Sequence, residues 1–389
     1  MKRLFKNIHL WLSIPFGILI SVICFSGAIL VFRAEIEDFV YKDLIFAKQH
    51  EGEKLSISEL LPLISNQIKD DEVTGINIPS DNKRNYSISV ASNPRAAIYI
   101  DAYTGEVLGK VEGTFFPKTL QFHRWLLIDR SIGKPIIGYS TLIFVIILIS
   151  GIVICFPKNR KQLKRIFTIK ITKSWRRFWY DLHVSAGNYV LIGLLALALT
   201  GLTWSFAWCR EPFYRMFGVD ATQMTHGGAK NNQQQAEKQP RQQKQLSEQQ
   251  GKRPHREGEQ GRPERGAKAT IEVEQESYLH WDEVFSYVQK VNPKNEKISI
   301  KNGTVTVTQN KTFGNSRASD NYTFDNNTGK ILEYRPYEKQ ERMNKVRGWI
   351  YSIHVGSWGG LFSKILTFII AFIGGTLPLT GYYLWIKKK

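Results

Sequence analysis

The sequence predicts an α-helical membrane protein: four transmembrane helices in two parallel internal repeats, with two small α+β extracytoplasmic domains. Three observations carry this. Four runs contain no Asp, Glu, Lys or Arg: Ile8–Phe32, Pro135–Phe156, Val184–Trp208 and Ile365–Ile386. Each reaches the ~20 residues that cross a hydrocarbon core of ~30 Å at ~1.5 Å per residue. Basic residues gather between the second and third runs and at both termini, and the order helix, polar segment, histidine, helix occurs twice.

The first helix is expected within 1–33. Its basic start (Lys2, Arg3, Lys6) also suits a signal peptide, but the apolar run exceeds a signal core of ~7–15 residues. The segment before Cys24 does not read as a lipoprotein cleavage box. An external domain follows over 34–120, where nine Lys/Arg stand against fourteen Asp/Glu. In it Ile57, Leu60, Leu61, Ile64 and Ile68 recur at helical spacing behind Ser56 as a cap. NYSISV alternates as a half-buried strand should. YIDAYTGEVLGKV reads as strand, tight turn, strand, with Asp101 bonding its own backbone and Gly105 supplying positive φ.

A histidine-bearing segment and the second helix occupy 121–157. The loop 158–182 is basic: Pro157–His183 holds nine Lys/Arg against Asp181 alone. Positive charge marks the cytoplasmic side, so this loop and both termini are expected inside. The net charge of +19 is thereby explained by a membrane rather than by nucleic acid. The third helix is expected in 183–209 and the second external domain in 210–345. That domain repeats the pattern: Trp281, Val284, Phe285, Val288 and Val291 on a helix face behind Ser277, TVTVTQ as a strand, and YTFDNNTGKILEYR with Asp325 and Gly329 spaced like Asp101 and Gly105. It is interrupted over 225–269 by a stretch with ten Gln and almost no apolar residue, expected to be disordered because it cannot bury a core. The last histidine segment and helix lie in 346–389.

The three cysteines (Cys24, Cys155, Cys209) lie in or beside apolar runs. Neither external domain has an internal disulfide, and no CxxC or CxxCH occurs, which argues against a zinc knuckle, a thioredoxin-like site and covalent haem.

Four histidines stand beside the four runs. His9 and His183 each precede a glycine, Gly27 and Gly201, by 18 residues. Eighteen residues are five turns, so each pair shares a helix face, ~27 Å apart along the axis. His123 and His354 precede the other two runs, which end near Gly151 and Gly381. Opposite helix directions then give each membrane surface two histidines and two glycines. Histidine in or beside a membrane helix is costly and marks function by default. Paired imidazoles at two depths fit axial ligation of two non-covalent b-type haems, one near each face, with glycine letting helices approach a flat macrocycle. The alternative is interfacial histidines satisfied by carbonyls or water, with glycines serving helix contact. Haem propionates need cationic partners, and Arg124 and Arg130 outside, and Arg3, Arg176 and Arg177 inside, are available. His50 and His280 have no counterpart in the other half, and His226 and His255 fall in the Gln-rich stretch; none of these is a candidate ligand.

The two D-x-x-TG turns, each between a pair of membrane helices, resemble PepSY domains. The series His…[ST]G, with FHRWLL before the second helix and the endings FPK and LWIKK, resembles the PepSY-associated transmembrane proteins over nearly the whole chain except the Gln-rich stretch. The fourth unit departs: IHVGSWGG stands where the second has FHRWLL, so Arg124 has no equivalent there. That family includes iron-regulated proteins and ferric-siderophore reductases of bacterial inner membranes. The histidine layers lead to the expectation of a haem-dependent membrane oxidoreductase that passes electrons from a cytoplasmic donor or quinol to an external acceptor; the resemblance implies a bacterial inner membrane and a ferric siderophore as that acceptor. No flavin- or nucleotide-binding pattern is present, so the donor is a separate molecule. Two other readings stay open: a non-enzymatic membrane protein whose PepSY-like domains bind a peptidase or envelope partner, and a transporter. The transporter is weakened by the lack of any Asp or Glu inside the four runs.

Overall fold

The computed structural model describes residues 2–48, 52–68, 71–94, 96–157, 159–170, 174–220, 278–309 and 313–387. Ser277, the Gln-rich stretch, His50, His226 and His255 lie outside the described residues.

Four helices are long and apolar enough to span a membrane: α1 (Lys2–Val31), α6 (Arg130–Cys155), α8 (Trp175–Ser205) and α12 (Gly360–Ile386). They form a ring, α1–α6–α8–α12, in which α12 closes back on α1. The diagonal partners are therefore α1 with α8, and α6 with α12. Each helix extends past its uncharged run. At α6 the extension has a local cause: Asp129 caps the N-terminus, its Oδ1 accepting the Ser131 N–H at 2.8 Å, which satisfies a backbone donor that has no partner within the helix. At α8 the aromatic-basic stretch WRRFWYDLH is helical, with Arg177 and the buried Asp181 paired one turn apart at 2.7 Å.

At one end of the ring stand the remaining elements, the short α7 excepted. After α1 come α2 (Arg33–Val40), α3 (Lys42–Ile45) and α4 (Ile57–Ile68), then β1 (Val73–Pro79), β2 (Tyr86–Val90), β3 (Ala97–Ile100) and β4 (Val107–Val111). The chain enters α6 through α5 (Phe115–Trp125). The short α7 (Arg160–Ile166) lies at the other end, between α6 and α8. After α8 come α9 (Ala207–Arg215), α10 (Trp281–Val291), β5 (Asn295–Lys301), β6 (Thr304–Gln309), β7 (Ser319–Phe324) and β8 (Ile331–Arg335). Then α11 (Arg342–Val355) leads into α12.

Each half of the chain thus supplies a helix and four strands. The strands do not make two sheets. They form one antiparallel sheet in the order β4-β3-β2-β1-β5-β6-β7-β8. The seam is β1 against β5, with Ile76 opposite Ile300 and Ile78 opposite Ile298. The sheet carries one core, with Leu60, Leu61 and Ile64 of α4, Trp281, Val284 and Val288 of α10, and inward residues from both sets of strands. The helices are joined as well: the Asp282 carboxylate on α10 accepts the first backbone N–H groups of α4, from Ile57 at 2.6 Å and Ser58 at 2.8 Å. The expected Ser56 cap is present as a box, Glu59 Oε2 accepting the Ser56 N–H at 2.9 Å and Ser56 Oγ accepting the Glu59 N–H at 3.3 Å. The two D-x-x-TG turns have the same construction. Asp101 accepts from Tyr103 N and Asp325 from Asn327 N, each at 2.8 Å, and Gly105 and Gly329 have φ of +72° and +64°.

Candidate functional site

The four histidines occupy two layers. His9 on α1 and His183 on α8 lie toward the end of the ring that carries the termini. His123, in the last turn of α5, and His354, in the last turn of α11, lie at the sheet end. The two latter helices reach the ring through different corners. α11 ends on Gly356 at φ +74°, packed beneath Thr367 and Ser363. α5 ends on two leucines, Leu126 and Leu127, both at φ +59°.

Each imidazole is seated on the Ser/Thr-Gly dipeptide of another helix. His123 meets Ser26-Gly27 of α1, and His9 meets Ser150-Gly151 of α6. His354 meets Thr200-Gly201 of α8, and His183 meets Thr380-Gly381 of α12. The seating is reciprocal within each half of the chain. Nδ1 lies 3.1, 2.9, 3.0 and 2.8 Å from the hydroxyls of Ser26, Ser150, Thr200 and Thr380, respectively. For three rings Nδ1 also lies near a backbone carbonyl: Ile23 at 3.0 Å for His123, Ile147 at 3.1 Å for His9 and Leu197 at 3.1 Å for His354.

These contacts fix the tautomer. A carbonyl oxygen only accepts, so the Nδ1 facing it carries the proton. The four hydroxyls donate back to carbonyls of their own helices, at Ile23, Ile147, Leu197 and Leu377, which leaves their oxygens to accept from Nδ1–H. Among the described residues every hydrogen bond to these rings ends on Nδ1. All four Nε2 lone pairs are left free on rings held in place, the arrangement found in metal-ligating histidines whose other nitrogen is anchored. α5 and α11 lie outside the four spans. There burial holds His123 and His354 well below the ordinary imidazole range, opposed in part by the Ile23 and Leu197 carbonyls, so both rings are neutral, the form that binds metals.

The glycines make room for the rings to different degrees. A Cβ at Gly27 would lie 3.1 Å from His123 Cε1, a tight contact; at Gly201, Gly151 and Gly381 the distances to the histidine Cε1 are 3.4, 3.7 and 3.7 Å. Only Gly27, and marginally Gly201, is demanded by the imidazole itself.

Across the halves, the His123 and His354 ring centroids are 6.3 Å apart at an interplanar angle of 56°. Two imidazoles on opposite sides of one ion, each nitrogen about 2 Å from it as in zinc sites, place their centroids roughly 6 Å apart. Trp204 stands edge-on to His354 at 4.9 Å. In the other layer His9 lies within electrostatic reach of His183. Among the described residues no group of three or more His, Cys, Asp or Glu converges as for a metal ion. Each layer brings two histidines together, a donor set that suits an iron whose other ligands come from a macrocycle.

Arg124 is exposed and contacts neither imidazole; its guanidinium lies over the Trp125 ring at 5.3 Å, within electrostatic reach of His123. His280 lies in the sheet unit, 3.4 Å from Glu283 and against Gly329. The recurring [ST]G pattern marked the hydroxyls of Ser26, Ser150, Thr200 and Thr380, each directly before a glycine already singled out, but sequence reasoning gave them no role. The signal was the recurrence of a hydroxyl residue at that one position in all four units.

A family model described as the PepSY-associated TM region matches residues 6–388. None of the curated proteins compared matches the chain.

Proposed function

The chain belongs to the PepSY-associated transmembrane family, and we propose from that premise that it is a transmembrane di-haem electron-transfer protein. His123 and His354 would hold one haem b near the sheet-end membrane face, and His9 and His183 a second near the face that carries the termini. One observation carries the reading: four imidazoles, each with Nδ1–H anchored to a Ser/Thr hydroxyl, are left with free Nε2 atoms in two layers. In the sheet-end layer the ring centroids, 6.3 Å apart, have the spacing of two ligands on one ion.

Haem iron supplies a one-electron couple in each layer. The protein's own residues do the rest. The hydroxyls and carbonyls orient the imidazoles and, by accepting the Nδ1 proton, make Nε2 a stronger donor. Gly27 admits the His123 ring. α1 carries His9 at one end and Gly27, the seat of His123, 18 residues later, which separates the layers by roughly 27 Å. The basic loop and basic termini support an orientation with the sheet outside by the positive-inside rule, and the membrane proposed is a bacterial inner membrane. Electrons then run outward, from a cytoplasmic donor or quinol to an acceptor near the sheet. Ferric iron held by a siderophore is the acceptor proposed, because a one-electron reduction weakens its hold by hard oxygen ligands.

The test is the visible spectrum of the full chain purified in detergent from haem-replete cells, oxidised and dithionite-reduced. Low-spin bands with two haems per chain are expected, and His9→Ala and His354→Ala should each remove about one. A colourless preparation overturns the proposal and leaves the non-enzymatic reading, in which the helices are anchors.

A further inference from the structure

The corner between α5 and α6 is strained, and it assembles charge. Left-handed backbone is unfavourable for a residue other than glycine, and Leu126 and Leu127 adopt it in succession. Such strain persists where the surroundings impose it, often at functional sites. The chain doubles back so closely that a Cβ on Gly133 would lie 2.1 Å from the Trp125 carbonyl oxygen. The result brings Arg124 and Arg130 over the Trp125 ring, at 5.3 and 5.7 Å. Lys134, one turn into α6, lies within electrostatic reach of both and of Arg210 on α9. The approach of α9 has its own cause: Phe206 and Ser205, at the end of α8, pack against Gly138, one turn beyond Lys134.

Four cations from three helices therefore face one region beside the sheet-end histidines. Among the described residues none of the four forms an ion pair. Arg210 Nε is buried without a hydrogen-bond partner. Asp129, the one carboxylate between Arg124 and Arg130, is engaged in capping α6 through Ser131. Like charges gathered without counter-ions repel, and an anion would relieve them. Topology does not account for them either, since the positive-inside rule puts basic excess on the opposite side from the one proposed for the sheet.

We infer that this corner is a docking site for a multiply anionic, oxygen-rich ferric chelate of the citrate type. The inference rests on the electron-transfer reading and narrows its acceptor: guanidinium groups grip carboxylates in bidentate fashion, and a neutral or cationic chelate gains nothing here. Arg124 directly follows His123, so a chelate held at the corner lies next to the sheet-end layer.

The experiment uses the full chain in nanodiscs of zwitterionic lipid and a redox-inert probe, radiolabelled gallium citrate, with a cationic gallium trihydroxamate as control. Saturable binding of gallium citrate and none of the trihydroxamate is expected. Lys134→Gln/Arg210→Gln should weaken it about tenfold or more, as expected for lost charge-assisted contacts, while Lys134→Arg/Arg210→Lys retains it. Haem content is read on the same samples. Loss of haem from the Gln variant, with binding unchanged, would assign these cations to haem propionates and overturn the proposal. So would abolition of binding by anionic lipid, which would assign them to headgroups. A coloured protein that does not bind gallium citrate overturns the docking site and leaves electron transfer standing. A colourless protein that binds it keeps the anion site and removes the electron-transfer reading.

Discussion

A hydroxyl that donates to its own helix and accepts from an imidazole on another does two jobs with one atom. Thr200 donates to the Ala196 and Leu197 carbonyls and lies 3.0 Å from His354 Nδ1. Thr200→Val keeps the branched shape and removes the acceptor. Loss of a metal ligand's anchoring partner typically weakens metal binding ~10–100-fold, so on the di-haem proposal this variant should show weakened haem retention in the sheet-end layer alone. Haem-to-protein ratio and a redox titration would check it, with one component altered and the other unchanged. At the same scale the limit of sequence reading is visible. The histidines and glycines were legible because rare residues in apolar runs stand out. Which histidine sits on which glycine was not, because Ser26 and His123 are 97 positions apart and nothing local specifies their meeting.

Among the elements, α4 shows how much a helix start owes to its neighbours. Its Ser56 cap was expected from the sequence; the return contact from Glu59 and the Asp282 carboxylate were not, the latter because it comes from α10. Asp282→Ala leaves two backbone N–H groups without that acceptor and should cost about 1 kcal/mol, as other N-cap losses do, measured by thermal unfolding of the full chain. The Ser56 hydroxyl and N–H hold the exposed Glu59 carboxyl below its ordinary range. A lowered folded-state pKa means stability that is present above the unfolded value and lost as pH falls through the folded one. Ser56→Ala should therefore melt lower than wild type at neutral pH, with the gap closing in acid below both values. Strands, turns and helices were readable element by element from alternation, D-x-x-TG and 3.6-residue spacing. The pairing of β1 with β5 was not. Both strands alternate like any half-buried strand, and the reason they meet (Gly75 opposite Lys301, where a Cβ would lie 2.7 Å from the Ile300 carbonyl oxygen) emerges only in three dimensions.

For the molecule as a whole, that seam changes what the two α+β units are. Sequence reading gave two small domains; the fold joins them through one core holding Ile76, Ile88 and Ile100 with Ile298, Ile300 and Trp281. Ile300→Asp would bury an unpaired carboxylate at the seam, and the cost of several kcal/mol should fall on both units together. Calorimetry should show one transition for the sheet in wild type, displaced as a unit in the variant; separate melting of the two halves would contradict a shared core. The ring of helices was anticipated in number and position by charge-free runs. Its closure was not: the buried faces carry small residues such as Ser21, Ser140, Ser185 and Thr367, which permit close helix contact without naming the partner helix.

The loop after β6 is bound to α11 and to the turn that follows it: Ser316 N–H donates to Ser352 Oγ at 2.9 Å, and Gly314 N–H to the Trp358 carbonyl at 2.9 Å. Ser352 lies two residues before His354, so the span of strands behaves as a brace clamped to one jaw of a calliper. On the proposed reading, iron changes charge by one unit with each electron, and a jaw that cannot drift keeps the reorganisation accompanying that change small. Speed of electron passage would then be a property of the extracytoplasmic brace as much as of the metal it steadies.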